Sequence, residues 1–363
     1  MAGIGRRNIL KAGAALAPAL VATSEAEAAA PPPLPAPDKV QVQQGQGIPA
    51  TPEEANPLAA KIIAQTIVST DLAASKRFYT DVMGFKLAEE GTVPSPGSTA
   101  PGAGKAGRRY LLIHQPGSAR SATIRVLEGA PGAAAIRPRP EAKTWDPGLL
   151  IMEGGTKDPV ESWHTLTVGG AKSISTPRYY PFRGIGTDVD PMSYAPFGPS
   201  GEQMFITASI ISKRPEWKEP GLHTIPGSVS VVGLDQRPIE EFYLKALGLR
   251  RTNQFVAQDR NCNDLIGAPP DTIFLWGNVG RGVNIEVWEF KMPSGTLYPC
   301  SLDKTGLAMF TMKVNDLEKC RAMCKTAGIK LVGEGAFPIV GNPAPKGFTL
   351  RGAVGELVEV VQA

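Results

Sequence analysis

The sequence predicts an α+β protein made of four copies of one unit: a strand, a helix and three further strands. A repeated phrase carries this reading. Thr66-Ile67-Val68-Ser69-Thr70-Asp71 leads to Phe78-Tyr79 and Gly84, and Val229-Ser230-Val231-Val232-Gly233-Leu234-Asp235 leads to Phe242-Tyr243 and Gly248. In both, Asp stands seven residues before Phe and thirteen before Gly. Two fainter copies run from Leu149-Leu150-Ile151-Met152 through Asp158 to Gly169-Gly170, and from Ala308 to Met312 through Asp316 to Gly328. The four Asp positions, 71, 158, 235 and 316, are 87, 77 and 81 residues apart, which leaves room after each helix for three strands.

Each part of the phrase has a physical reason. The β-branched run favours a strand, and Asp is a good N-cap because its carboxylate accepts from orphan backbone N–H groups. The apolar spacing that follows suits an amphipathic helix of about three turns. Gly then ends the helix in the left-handed conformation that other residues adopt at a cost.

Ahead of the repeat, Arg6-Arg7-Asn8-Ile9-Leu10-Lys11 precedes the apolar run Ala12–Ala22 and the small-residue stretch Ala26–Ala30. Residues 1–30 are similar to a twin-arginine export signal, which implies a periplasmic protein. Residues 31–57 are rich in Pro and Gln and are expected to form a disordered leader. No apolar run is long enough to span a bilayer. The chain has 363 residues, 42% hydrophobic and 20% charged, with 40 Gly and 34 Pro, a composition that supports two folded domains. The net charge of +4 is spread along the chain, so nucleic acid is not an expected partner.

Strand, helix and three strands, four times over, resembles the vicinal oxygen chelate superfamily, which includes glyoxalase I, bleomycin-resistance proteins and extradiol dioxygenases. The Asp…Phe-Tyr…Gly phrase and the ending Gly355-Glu356-Leu357-Val358-Glu359 carry the resemblance over residues 60–363. It implies four βαβββ modules paired into two domains, modules 1 and 2 over 58–212 and modules 3 and 4 over 222–363. Residues 213–221 would link them, and each pair would close into a U-shaped cleft.

In metal-dependent members, a first strand offers His or Gln about seven residues before Asp, and a last strand offers Glu. Here those first-strand positions are Ala64, Ser228 and Met309, with Gln65 the nearest approach to a ligand. The chain has only three histidines, at 114, 164 and 223. Of these, His114 is a candidate base facing the first cleft, and His164 and His223 are read as structural. The family's Glu falls on Glu286 in module 3 and Glu359 in module 4; module 2 has Phe205 there, and Thr123-Ile124-Arg125-Val126 of module 1 also lacks it.

These residues suggest a metal-independent site in which Glu286 and Glu359 share one cleft as acid and base, because burial beside a like charge raises a carboxyl pKa towards neutrality. Trp288 and the segment Arg178, Tyr179, Tyr180 and Arg183 would shape it for a small aromatic or apolar substrate. The expected activity is that of an isomerase or lyase. Two alternatives stay open: a non-catalytic binding protein of the bleomycin-resistance type, and a dioxygenase or glyoxalase holding Fe, Zn, Ni or Mn through atypical ligands. No other cofactor is expected, and a homodimer is an open question. Cys262, Cys300, Cys320 and Cys324 are read as buried thiols or, in an oxidising compartment, as one or two disulfides, with a metal pair at Cys320 and Cys324 as a further alternative.

Overall fold

Each predicted unit forms a βαβββ module. The computed structural model describes residues 41–43, 52–95, 97–104, 107–118, 122–180, 191–209 and 216–362. The expected export signal, Arg183 and residues 213–215 of the expected linker lie outside them. Strand β1 (Gln41–Gln43) and helix α1 (Pro52–Ala55) precede the modules. Module 1 comprises β2 (Lys61–Ser69), α2 (Leu72–Arg77) with a π turn over Phe78–Val82, β3 (Lys86–Thr92), β4 (Arg109–His114) and β5 (Thr123–Glu128). Module 2 comprises β6 (Gly148–Gly155), α3 (Pro159–Val168), β7 (Arg178–Tyr179), β8 (Pro191–Tyr194) and β9 (Gln203–Ser209). Module 3 comprises β10 (Ser228–Gly233), α4 (Arg237–Leu247), β11 (Arg251–Ala257), an inserted α5 (Arg260–Ile266), β12 (Phe274–Val279) and β13 (Ile285–Phe290). Module 4 comprises β14 (Gly306–Val314), α6 (Leu317–Thr326), β15 (Leu331–Glu334), β16 (Gly347–Arg351) and β17 (Leu357–Gln362).

The caps follow the sequence reading, with one exception. Asp71, Asp158 and Asp316 accept from the first-turn amides of Ala74, Val160 and Lys319. Asp235 instead stands one residue outside α4, whose N-cap is Gln236, and pairs with Arg237. Gly84, Gly248 and Gly328 all have positive φ, as the helix ends require.

Module pairing departs from the expectation. One sheet runs β15-β16-β17-β14-β2-β5-β4-β3, and the other β1-β11-β12-β13-β10-β6-β9-β8-β7. Module 1 therefore shares a sheet with module 4, and module 2 with module 3, through the antiparallel first-strand pairs β2–β14 and β6–β10. The modules expected to pair are joined otherwise. Tyr79 of module 1 donates to Glu202 of module 2 at 2.6 Å, and Tyr243 of module 3 donates to Glu356 of module 4 at 3.1 Å, both buried. Each Glu sits in the same tight turn, where Gly198 and Gly352 donate through N–H to the carbonyls of Glu202 and Glu356, both at 2.8 Å. Sheet pairing and Tyr–Glu bonds thus alternate around a closed ring of four modules.

The leader is also not wholly without structure. Gln41–Gln43 pairs antiparallel with β11 at the edge of the second sheet, opposite Gln254–Val256. The Asn56 side chain bridges to both the N–H and the C=O of Ala60, and Ala55 and Leu58 are buried. No helix among the described residues is long and apolar enough to cross a membrane.

Candidate active site in the module 2–3 sheet

One face of each sheet centres on four neighbouring strands, the first and last of two modules. On first strands, Thr66, Glu153, Ser230 and Thr311 each stand five residues before the module's Asp. Their neighbours on the last strands are Arg125, Phe205, Glu286 and Glu359, through the pairs Thr66–Arg125, Glu153–Phe205, Ser230–Glu286 and Thr311–Glu359. Facing residues of paired strands lie on the same side of a sheet. Each sheet therefore centres one four-residue site.

In the module 1–4 sheet the site is closed by an ion pair. Arg125 donates to Glu359 Oε2 at 2.8 Å, with both side chains fully buried. Thr311 donates to the same oxygen at 2.7 Å, the Phe337 N–H donates to Oε1 at 2.8 Å, and Arg125 reaches Thr66, Thr311 and the carbonyls of Phe337 and Pro338. Phe337 also lies 5.2 Å beneath the guanidinium. Both oxygens of this carboxylate therefore accept from buried donors, Oε2 from two and Oε1 from one.

In the module 2–3 sheet the site is acidic and aromatic. Glu286 lies beside Glu153, close enough for the two carboxyl groups to interact directly and to share a proton. Ser230 Oγ donates to Glu153 Oε1, and Trp288 Nε1 donates to Glu286 Oε2 at 2.8 Å. Burial raises the Glu286 carboxyl above the ordinary range, while the bonds from Trp288 and Glu153 pull it partly back. The wall is continuous aromatic surface: Phe205 meets Trp288 edge-on at 6.0 Å, and Phe274 stacks against Trp276 at 4.8 Å and Phe290 at 5.3 Å. Both carboxyl groups belong to residues that keep partial solvent access.

Glu286 and Glu359 therefore do not share a cleft, because the sheets pair modules 2 with 3 and 1 with 4. The partner of Glu286 is Glu153. Tyr180 reaches the site, buried and within electrostatic range of both carboxyls, with its hydroxyl 2.9 Å from Ser193 Oγ. Arg178 lies opposite Ser193 and so on the same face, where Nη1 donates to Thr176 Oγ1 at 3.0 Å. Strand alternation sends Tyr179 to the other face, and its carbonyl accepts from Asn261. Arg183 lies outside the described residues. Gln65 turns away from Thr66 and donates to the Ser228 carbonyl of the other sheet at 2.9 Å. His164 is exposed, His114 is half-buried, and His223 is buried between Ser162 and the Met83 carbonyl. The four cysteines are buried free thiols, and those of Cys320 and Cys324 both point to the Ala246 carbonyl.

Residues 61–182 match the Glyoxalase/Bleomycin resistance protein/Dioxygenase superfamily. Glyoxalase I from Zea mays superposes with a TM-score of 0.53 at 14% identity, over 84% of this chain and 92% of that one. A substituted form of that enzyme gives 0.54 at 15% identity, over 84% and 92%. No curated protein matches by sequence.

The chain has the vicinal oxygen chelate fold. Neither four-residue site, however, holds the donors that the chelate in the superfamily's name needs. In the module 1–4 sheet a guanidinium sits against the glutamate that would bind a dication. In the module 2–3 sheet two carboxyls lie side by side with Ser230, and Phe205 fills the fourth corner. No cluster of three His, Cys, Asp or Glu gathers among the described residues. A first-row metal held by two carboxylates and a hydroxyl would keep most of its water, so the residues present do not fit a chelated ion.

Proposed function

We propose that the module 2–3 cleft moves a proton on a small aromatic or apolar substrate, as an isomerase or lyase does, without a metal. The observation that carries this reading is the juxtaposition of the Glu153 and Glu286 carboxyls, bridged through Ser230 and set against an aromatic wall. A pair that shares one proton has an acid and a base in contact, and a raised pKa brings the exchange towards neutral pH. The ionised carboxyl takes a proton from a C–H bond activated by a neighbouring carbonyl, and the protonated one returns a proton at a second position. Charge and atoms balance when the product is an isomer. Trp288, Phe205 and Phe274 bind the substrate's flat face, and Tyr180 closes one side. The twin arginines support export to the periplasm as the place of action.

Proton exchange gives the direct test. Small aryl ketones incubated with the protein in D2O are followed by proton NMR for loss of the C–H signal next to the carbonyl. Wild type exchanges it, and Glu286→Gln and Glu153→Gln do not, while both still quench tryptophan fluorescence with the same probes. Equal exchange in wild type and both variants overturns the assignment. Retained binding with no exchange in wild type marks a sequestering protein.

A further inference from the structure

A small, partly enclosed cavity of about 20 Å³ lies where the loop before β6, the turn before β9 and the start of β14 meet; it is lined by Arg137, Arg139, Ser200, Glu202, Gln203 and Thr305, among others. Four of these residues each have a buried side-chain atom with no partner: Arg137 Nε, Arg139 Nε, Ser200 Oγ and Gln203 Nε2. All four can donate. Gln203 is 2% exposed and Arg137 9% exposed. The Gln203 amide orientation is fixed, because its Oε1 accepts from Arg139 Nη2 at 2.6 Å.

The charge balance points the same way. Arg137 donates to the carbonyls of Asp146 and Lys143, and Arg139 to that of Ala142; neither guanidinium forms an ion pair among the described residues. Burial, with Arg139 beside it, pushes the Arg137 guanidinium down to about 10. Of the acids nearby, Asp146 offsets the two guanidiniums only through its field, while the hydrogen bonds of both acids go to other groups. Glu202 accepts from Tyr79 and from the Ser200 N–H, and Asp146 accepts from the Lys143 and Thr296 N–H groups. Buried donors and buried cations left in this state are costly, and a guest that only accepts would satisfy them.

We propose that this cavity binds one small monovalent anion of halide size, and that the anion ties the module 1–2 connection to the two sheets. A water molecule has two lone pairs for four donors, whereas a halide accepts from all four and offsets the paired arginines. The volume suits a single guest of this size. Arg139 and Gly201 also line a groove of about 760 Å³, which gives the ion a route in.

Thermal melting of the full folded chain at matched ionic strength tests this, with sodium chloride or bromide compared against sodium gluconate. The expected result is a Tm that rises and saturates with chloride and bromide but not with gluconate. Crystals grown in bromide should show an anomalous peak within hydrogen-bonding distance of Arg137 Nε and Gln203 Nε2. Ser200→Ala, which removes one donor, should raise the half-saturating chloride concentration several-fold. Gln203→Glu places an acceptor in the cavity and should melt in gluconate at or above wild type, with no response to chloride. Equal melting curves in chloride and gluconate for wild type, or a cavity without bromide, overturn the proposal.

Discussion

Arg125 on β5 and Glu359 on β17 meet at 2.8 Å with neither side chain exposed, although 234 residues separate them in the chain. They join the first module to the last across the centre of one sheet, and the chain itself supplies the cation that balances the buried Glu359 carboxylate. It also draws in the loop at Phe337, whose N–H and carbonyl both bind the pair.

Removing one partner strands the other in a dry site. Arg125→Met should destabilise the protein by about 3–5 kcal/mol, and Glu359→Gln by somewhat less, because the amide oxygen still accepts one bond. The double variant should recover part of the Arg125→Met loss, since no buried charge remains. Urea unfolding followed by tryptophan fluorescence checks all three.

The two Tyr–Glu bonds that close the module ring make a second comparison. Tyr79→Phe and Tyr243→Phe each leave a buried glutamate oxygen short of a donor, at a cost of roughly 1–3 kcal/mol. They lie at different module junctions, so the double variant should lose the sum of the two within about 0.5 kcal/mol. A clear excess over the sum would mean that the ring responds as one unit.

Glu202 links stability to pH. Burial raises its carboxyl from 4.5 to about 7, against the pull of the Tyr79 bond. The native state then holds a proton that the unfolded chain releases between these values. Stability must fall as pH rises from about 4.5 to about 7, by about 3 kcal/mol for this group at full effect, and level off above. Glu286 and Glu356 are raised in the same direction and add to the slope. Glu202→Gln should flatten the slope in part, as read from urea midpoints across pH 4 to 8. Tyr79→Phe should extend the window upwards.

The fold was legible because its signal is local and repeated. Asp71, Asp158 and Asp316 cap helices, and Gly84, Gly248 and Gly328 end them, and these choices rest on backbone chemistry that a single strand of text displays. Module pairing was not legible, because β2 reaches β14 through bonds between residues about 240 positions apart. The site was half legible. Glu286 and Trp288 follow from alternation along one strand. Glu153 carries a weaker signal: the first-strand positions named by the resemblance do not include it, and only its place five residues before Asp158, matching Ser230 before Asp235, marks it. Arg125 stands in a stretch that lacks the glutamate the resemblance implies, and a basic residue at that corner is itself the sign of a buried ion pair.

Trp288 both forms part of the aromatic wall and donates to Glu286. Trp288→Phe keeps the flat surface against Phe205 and Phe274 but deletes the Nε1–H bond, one of the two interactions that hold the Glu286 carboxyl down. The Glu153–Glu286 pair should then keep its proton to higher pH. Carbon-13 NMR of protein labelled at the glutamate side-chain carboxyl would read this as an upward shift of the pair's titration midpoint. Phe205→Leu, which changes the wall without touching the bond, should leave the midpoint in place. Glu286→Gln should remove the shared titration from the spectrum. If Trp288→Phe and Phe205→Leu moved the midpoint equally, the effect would come from burial alone, and Trp288 would be only part of the wall.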